Sequence, residues 1–263
     1  MRRAATALAM GAILAQAGPA RGSDVHVNLE LVLAVDVSGS MDIEERELQR
    51  AGYMAALVHP DVLQAIAMGP LGRIALTLVE WAGGTVQTVA VPWQLVDSTA
   101  SAAAFVEALA AAPMSRQRGT SISGALLFSA ELFADSGFEG LRKVIDVSGD
   151  GPNNSGPPVL PARDAVLARG IAINGLPIML RPSMGFGGIS NLDVYYEDCV
   201  IGGPGAFVVP VQDLDHMAEA VRRKLVLEIA GTPAEVIPAQ LRGEPRIDCM
   251  IGEHLRRQWE RGG

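Results

Sequence analysis

Short apolar runs alternate along this chain with segments that have the spacing of amphipathic helices. The run at 29–35 is apolar except for Glu30, and it is followed by Asp42-Ile43-Glu44-Glu45, in which an acidic N-cap and a glutamate three residues later form a capping box. This pattern predicts a strand and then a helix that ends near His59. Later strands are predicted at 73–81, 87–93, 142–147, 171–176 and 206–211, and later helices at 61–67, 101–112, 121–133, 161–169 and 214–229.

The alternation of predicted strands and helices is typical of an α/β fold, in which helices connect parallel strands and cover both faces of the sheet. The segments 73–81 and 87–93 depart from it, because only a short turn at Gly83-Gly84 separates them. Pro92 cannot donate a ladder hydrogen bond, so its strand fits the edge of a sheet. We therefore predict a doubly wound, mostly parallel sheet with one antiparallel edge strand.

Regular patterning lapses at 181–205, which is rich in glycine and contains Tyr195-Tyr196. Tyrosine suits positions where one end of the side chain meets water. These two tyrosines and Phe207 are therefore predicted either to form a contact surface or to pack in the core, and the sequence leaves both alternatives open.

Composition is consistent with one compact domain. Of the 263 residues, 49% are hydrophobic and only 19% are charged, which is enough apolar material for a sizeable core. We predict a domain at 27–230 and a C-terminal tail at 231–263. The formal net charge of -8 disfavours nucleic acid and anionic membranes as partners.

Residues 1–20 have the three parts of a secretory signal peptide: Arg2-Arg3, an apolar stretch at 4–15, and small residues up to Ala17 or Ala20. Cleavage there would remove two arginines and no acid, which would move the formal charge from -8 to about -10. No later apolar stretch is long enough to span a bilayer. The protein is therefore expected to be periplasmic or secreted.

The chain has two cysteines, Cys199 and Cys249. In an oxidising compartment, such a pair predicts a disulfide, which would tie the tail back to the domain. The alternative is two buried free thiols.

Candidate chemistry begins where the first predicted strand ends, at Asp36-Val37-Ser38-Gly39-Ser40. Alternate side chains of an extended segment share a face, so Asp36, Ser38 and Ser40 can point at one ion. A carboxylate and two hydroxyls, without His or Cys, select Mg²⁺, Mn²⁺ or Ca²⁺. The alternative is that these residues only form a turn and a helix N-cap.

Two later segments favour the metal site. Thr120 precedes a strongly apolar helical segment, and Asp150 follows a predicted strand between Gly149 and Gly151. In open α/β sheets, ligands bind outside the carboxyl ends of the strands. We therefore expect these oxygen ligands to meet those of the first loop.

These three segments together resemble the von Willebrand factor type A domains, over roughly 27–230. The metal-ion-dependent adhesion site of that family has Asp-x-Ser-x-Ser on one loop, Thr on a second and Asp on a third. The resemblance implies five metal-ligating residues in this chain: Asp36, Ser38, Ser40, Thr120 and Asp150. It further implies that Ser38 and Ser40 ligate directly, Thr120 ligates in a high-affinity state, and the two aspartates act partly through water.

Two positions depart from the commonest family pattern. Gly149 stands where many members have Thr or Ser, and Arg118 stands where many have a second Gly. Arg118 is predicted either to assist an incoming carboxylate or to be a solvated loop residue. Neither change removes a metal ligand.

The function that the resemblance implies is an exported, divalent-cation-dependent protein-binding module for adhesion or assembly. The cation is expected to be Mg²⁺, with Mn²⁺ or Ca²⁺ as alternatives, and to bind an Asp or Glu carboxylate of a partner protein. The sequence lacks a phosphate-binding loop, a nucleophile elbow and an H-E-x-x-H pair, so no enzyme is predicted. A Mg²⁺-dependent hydrolase using the same loops and a purely structural metal are the alternatives. The chain also resembles exported bacterial proteins that contain this domain and have no assigned role.

Overall fold

The computed structural model describes residues 24–180, 188–231 and 245–262. Its strands are β1 (Val25–Val27), β2 (Glu30–Asp36), β3 (Ile74–Trp81), β4 (Gln87–Val96), β5 (Phe138–Gly140), β6 (Lys143–Gly149) and β7 (Ala172–Pro177). A five-stranded sheet has the order β4-β3-β2-β6-β7, and β1 pairs with β5 in a separate parallel ribbon. Only the β3–β4 pairing of the main sheet is antiparallel, so the predicted fold class and its antiparallel edge strand are confirmed.

Helices cover both faces of this sheet. They are α1 (Ile43–Leu57), α2 (Pro60–Met68), α3 (Thr99–Ala111), α4 (Ile122–Glu131), α5 (Val159–Leu167), α6 (Leu192–Tyr195), α7 (Met217–Ala230) and α8 (Ile251–Gly262). The first hydrophobic core contains residues of α1, α2, α3 and α7, and the second core contains residues of α4, α5 and α6. Because both faces are covered, all seven residues of β2 are buried, as a central parallel strand requires.

The capping box predicted from sequence starts α1 directly after the first candidate loop. The backbone amide of Glu45 donates to Asp42 Oδ1 at 2.9 Å, and the amide of Asp42 donates to Glu45 Oε2 at 2.8 Å. Two amides that a helix leaves without partners are satisfied in this way. The first candidate loop is therefore bounded by a central strand and a firmly capped helix.

The strand predicted at 206–211 is wrong. The segment makes only isolated bridges to β7 and its continuation, at Gly175–Val208 and Ile178–Val211. Pro210 lacks an N–H, and the amide of Phe207 donates to the Asn174 side chain at 3.1 Å instead of to a strand. Backbone hydrogen bonds on both sides of Pro210 still join the segment to β7 and its continuation, but they form two separate bridges and not a continuous ladder.

Several predictions fall partly or wholly outside the described residues. The signal peptide predicted at 1–20 lies outside them, as do 181–187 of the irregular region and 232–244 of the tail. The tail at 245–262 is described, and it contains α8, which the sequence analysis missed. Across the described ranges, no helix has both the length and the apolar character needed to cross a bilayer.

Candidate metal centre

The first and third candidate loops are neighbours because their strands are neighbours. β2 and β6 run parallel, with Val35 paired to Ser148, so Asp36 and Asp150 follow at the same edge of the sheet. The second loop precedes α4 and is joined to the first loop, since the amide of Gln117 donates to the Val37 carbonyl at 3.3 Å. The three predicted loops therefore meet at the carboxyl ends of the central strands.

Four of the five predicted ligands are brought together by their side chains. The Ser38 amide donates to Asp36 Oδ1 at 2.7 Å, and the hydroxyls of Ser38 and Ser40 lie 2.8 Å apart. The Ser40 hydroxyl donates to Asp150 Oδ1 at 2.7 Å. A continuous set of oxygen atoms therefore links the first loop to the third.

Thr120 is joined through its backbone to the segment that follows Asp150. Its amide donates to Asn154 Oδ1 at 3.0 Å, and its carbonyl accepts from the amides of Asn154 at 2.9 Å and Ser155 at 3.1 Å. Thr120 itself is buried. The second and third loops therefore behave as one hydrogen-bonded unit, in which Asn154 has a positioning role that sequence analysis missed.

The Asp36 carboxylate lies in an unusually unfavourable place for a negative charge. It is fully buried, and its Oδ2 atom has no hydrogen-bond partner of acceptable geometry among the described residues. Burial raises the pKa of Asp36 well above its ordinary value, and the charge of Asp150 raises it further, although the Ser38 and Asp150 amides oppose the shift. A cation is the group that would stabilise this carboxylate.

The chemistry of the candidate ligand atoms indicates which cations could bind. Two carboxylates and the serine and threonine hydroxyls are hard oxygen ligands, which Mg²⁺, Mn²⁺ and Ca²⁺ prefer. Within the part of the chain that the structure describes, no cluster of three or more His, Cys, Asp or Glu side chains could hold a metal. The residues present therefore fit an oxygen-liganded divalent cation and not a site of thiolates and imidazoles.

Gly149, one of the two departures from the family pattern, has a steric explanation. A Cβ atom at this position would lie 2.9 Å from Asp36 Oδ2 and 3.0 Å from the Tyr196 hydroxyl. Tyr196 thus fills the space beside Asp36, and burial raises the pKa of its hydroxyl well above its ordinary value. Tyr195 and Tyr196 are both fully buried, so core packing, one of the two alternatives, is confirmed for them.

The structure also gives the positions of the other residues for which two alternatives were predicted. Phe207 is partly buried against the first core, and Arg118 is exposed. Cys199 and Cys249 form a disulfide, which confirms the predicted pairing over two free thiols. The position of Tyr196 beside Asp36 and that of Asn154 beside Thr120 could not be predicted from the sequence, because both depend on contacts with distant segments.

A second buried charge cluster lies on the same strand as the third loop. The Lys224 ammonium, on α7, pairs with Asp146 of β6 and with Glu228 one helical turn further on. All three side chains are at most 1% exposed. Asn174 donates to Glu228 at 3.3 Å, and the Phe207 ring centroid lies 5.4 Å from the ammonium. Two carboxylates therefore share one ammonium in the interior.

Stability is expected to fall as pH rises from about 4.5 to about 7 because of Glu228. Burial, followed by the charge of Asp146, raises the pKa of Glu228 from 4.5 to about 7. Between these values the folded protein binds more protons than the unfolded chain, so raising the pH costs stability, by roughly 3 kcal/mol in total. Urea unfolding measured from pH 4.5 to 8 would show this slope.

The matched comparison is Glu228→Gln with Glu219→Gln, an exposed acid on the same helix. The first variant is expected to lose most of the slope, and the second to retain it. An equally steep profile for Glu228→Gln would contradict the assignment.

The sheet order, the helices on both faces and the three loops define a von Willebrand factor type A-like domain. A von Willebrand factor type A structure from Catenulispora acidiphila matches with a TM-score of 0.52 and 19% identity, over 77% of this chain and 43% of that chain. The pilus adhesin SpaC from Lactobacillus rhamnosus GG matches with a TM-score of 0.57 and 16% identity, over 79% and 32%. The mussel byssus protein PTMP1, with a zinc-occupied MIDAS motif, matches with a TM-score of 0.51 and 17% identity, over 78% and 47%.

This chain thus spans less than half the length of each of those structures. Residues 26–233 match the family model described as "Protein of unknown function (DUF1194)", and the chain belongs to this family. A search of curated proteins gives no match. The fold is therefore shared with adhesion and matrix proteins, while the family description assigns no activity.

Proposed function

We propose that this protein is an exported, divalent-cation-dependent protein-binding module, whose cation binds among Asp36, Ser38, Ser40, Thr120 and Asp150. The observation that carries the proposal is the buried Asp36 carboxylate, with one oxygen unpaired and Asp150 beside it. The fold supports it, because PTMP1 carries zinc at a MIDAS motif and SpaC is a pilus adhesin.

The ligand chemistry favours binding of a partner carboxylate. A divalent cation held there would supply an electrophilic centre that accepts an oxygen atom from an Asp or Glu of the partner. Three of the five ligands are neutral hydroxyls, and Asp36 and Asp150 are expected to act partly through water, so the cation would keep positive charge toward an incoming carboxylate. The hydrogen bonds from Ser38 to Ser40 and from Ser40 to Asp150 already fix the direction of these oxygens. We propose Mg²⁺ as the physiological ion.

Binding accounts for the described residues better than hydrolysis does. A metal-assisted hydrolase uses a base to activate water beside the ion. The carboxylates of these loops, Asp36 and Asp150, are themselves the proposed ligands. The four histidines each lie within 3.6 Å of a carboxylate oxygen near them in sequence or on a neighbouring strand. We therefore propose a binding function and not an enzymatic one.

Divalent cations are expected to stabilise the folded protein, and Asp36→Asn is expected to abolish that effect. A cation that binds only the folded state raises the free energy of unfolding by about 2.7 kcal/mol at a hundredfold excess over its dissociation constant. Chelated protein would be titrated with Mg²⁺, Mn²⁺ and Ca²⁺ while the unfolding midpoint is followed. Without cation, Asp36→Asn is expected to be more stable than wild type, because it removes a buried, unpaired charge.

The control is Glu107→Gln, an exposed acid on α3, which is expected to keep the full cation response. If no cation shifts the midpoint of the wild-type protein, the proposed metal-dependent function is wrong. If the cations stabilise both Asp36→Asn and wild type equally, they bind elsewhere.

A further inference from the structure

The third loop of the candidate metal centre is in direct contact with the C-terminal helix α8. A Cβ atom on Gly252, in the first turn of α8, would lie 2.1 Å from the Asn153 carbonyl oxygen and 3.1 Å from Pro152 Cγ. Only glycine permits this approach, because any other residue would push the helix and the loop apart. The helix backbone therefore lies against the loop that begins at Asp150.

Asn153 connects this helix to the rest of the site. It is fully buried, and its Nδ2 donates to Glu253 Oε1 of α8 at 2.7 Å. Its Oδ1 accepts from the Ser123 amide of α4 at 3.0 Å, and its own amide donates to the Tyr195 hydroxyl at 3.2 Å. One buried side chain thus joins α8 to the helix that follows Thr120.

Asn154 provides a shorter route from α8 to a predicted ligand. Its carbonyl accepts from Arg256 Nη1 of α8 at 3.2 Å, and its Oδ1 accepts from the Thr120 amide at 3.0 Å. A single residue therefore separates α8 from Thr120. Movement of the helix would be transmitted to the second and third loops together.

The disulfide fixes the start of α8. Cys249 lies two residues before the helix, and it is bonded to Cys199 in the π-helical turn at Tyr196–Val200. The Tyr195 hydroxyl, which accepts from the Asn153 amide, donates to the Cys249 carbonyl at 3.4 Å. Tyr196, in the same turn, fills the space beside Asp36. The covalent link therefore ends in the segment that packs against both the first and third loops.

We infer that α8, held by the Cys199–Cys249 disulfide, is a structural part of the metal centre that positions the second and third loops and thereby sets cation affinity. This inference rests on the proposed function. Residues that orient ligands from outside the first coordination sphere commonly change metal affinity by 10–100-fold. The helix, Asn153 and Asn154 form such a layer here. Of these, α8 lies beyond residues 26–233, which the family model matches.

The test compares Gly252→Ala with Gly262→Ala on the same helix. A Cβ on Gly252 meets the loop, whereas a Cβ on Gly262 has nothing within 4 Å. Isothermal titration of each purified, oxidised protein with Mn²⁺ is expected to show about tenfold weaker binding for Gly252→Ala and wild-type binding for Gly262→Ala. Circular dichroism would verify that both variants are folded before titration.

A second pair of variants distinguishes a positioning role of α8 from a general loss of stability. Glu253→Gln keeps the oxygen that accepts from Asn153, and Glu253→Ala removes it. Glu253→Ala is expected to bind Mn²⁺ more weakly, whereas Glu253→Gln is expected to retain wild-type affinity. Wild-type affinity in both Gly252→Ala and Glu253→Ala would overturn the inference and leave the proposed function intact. Failure of the wild-type protein itself to bind Mn²⁺, Mg²⁺ or Ca²⁺ would overturn both.

Discussion

Replacing Lys224 with methionine is expected to lower the free energy of unfolding by about 3–5 kcal/mol at pH 7. The substitution removes the ammonium that pairs with both Asp146 and Glu228 and leaves two buried carboxylates facing each other. Desolvation of a charge in the interior is costly unless the charge is paired, so the two acids would become protonated or the packing of α7 would be lost. Denaturant unfolding at 25 °C measures this difference directly.

The matched control is Arg223→Met, because residue 223 is the exposed neighbour of Lys224 on the same helix. Its effect is expected to stay within about 0.5 kcal/mol, as is usual for surface substitutions. A triple variant, Asp146→Leu with Lys224→Met and Glu228→Leu, is expected to recover most of the loss, since an apolar replacement of the whole cluster removes every buried charge. A loss below about 1 kcal/mol for Lys224→Met would show that the cluster is not a paired charge system.

Removing the disulfide is expected to lower the free energy of unfolding by about 4 kcal/mol. The bond joins residues separated by 50 positions, and chain-entropy arguments give about 3–5 kcal/mol for loops of this size. The double variant Cys199→Ala with Cys249→Ala is preferred over serine, because both cysteines are buried in the second core and a hydroxyl would lack partners there. Denaturant unfolding under non-reducing conditions gives the comparison with the oxidised wild-type protein.

The control for this experiment is the wild-type protein after reduction and alkylation, which removes the same cross-link without changing the sequence. Both samples are expected to lose stability, with the alkylated protein losing more, because the added groups do not fit the buried site. A change smaller than about 1 kcal/mol in the double variant would mean that the C-terminal segment is held by its noncovalent contacts alone.

The central sheet and the first loop were predictable because their determinants are local. The apolar run before Asp36 predicted a buried strand, and Asp42 with Glu45 predicted the start of α1 within one residue. In contrast, the segment 206–211 was wrongly predicted as a strand. Its apolar character is that of a strand, but Pro210 and the capture of the Phe207 amide by Asn174 interrupt the ladder. Hydrophobic periodicity indicates which side chains are buried, but it does not indicate which backbone amides donate to distant side chains.

In the candidate site too, some residues were predictable from local sequence and others were not. Asp36, Ser38 and Ser40 share a motif in one loop, and the likeness to a known three-loop pattern indicated Thr120 and Asp150. Asn153, Asn154 and Tyr196 carry no such pattern, and their importance follows from contacts with residues 30 to 160 positions away. Nothing in the sequence indicates the role of Gly252 either, since that role depends on the carbonyl of a residue 99 positions earlier.

The sequence by itself therefore indicated most strands and helices of the central sheet, although not α8, together with the oxygen chemistry of the three loops, and it favoured the pairing of the two cysteines. These follow from local periodicity, side-chain chemistry and the count of thiols. Only the tertiary structure decided that α8 packs against the third loop and that Asp146, Lys224 and Glu228 share one buried site. The physical reason is that these interactions join segments whose separation along the chain is unrelated to their distance in the folded protein.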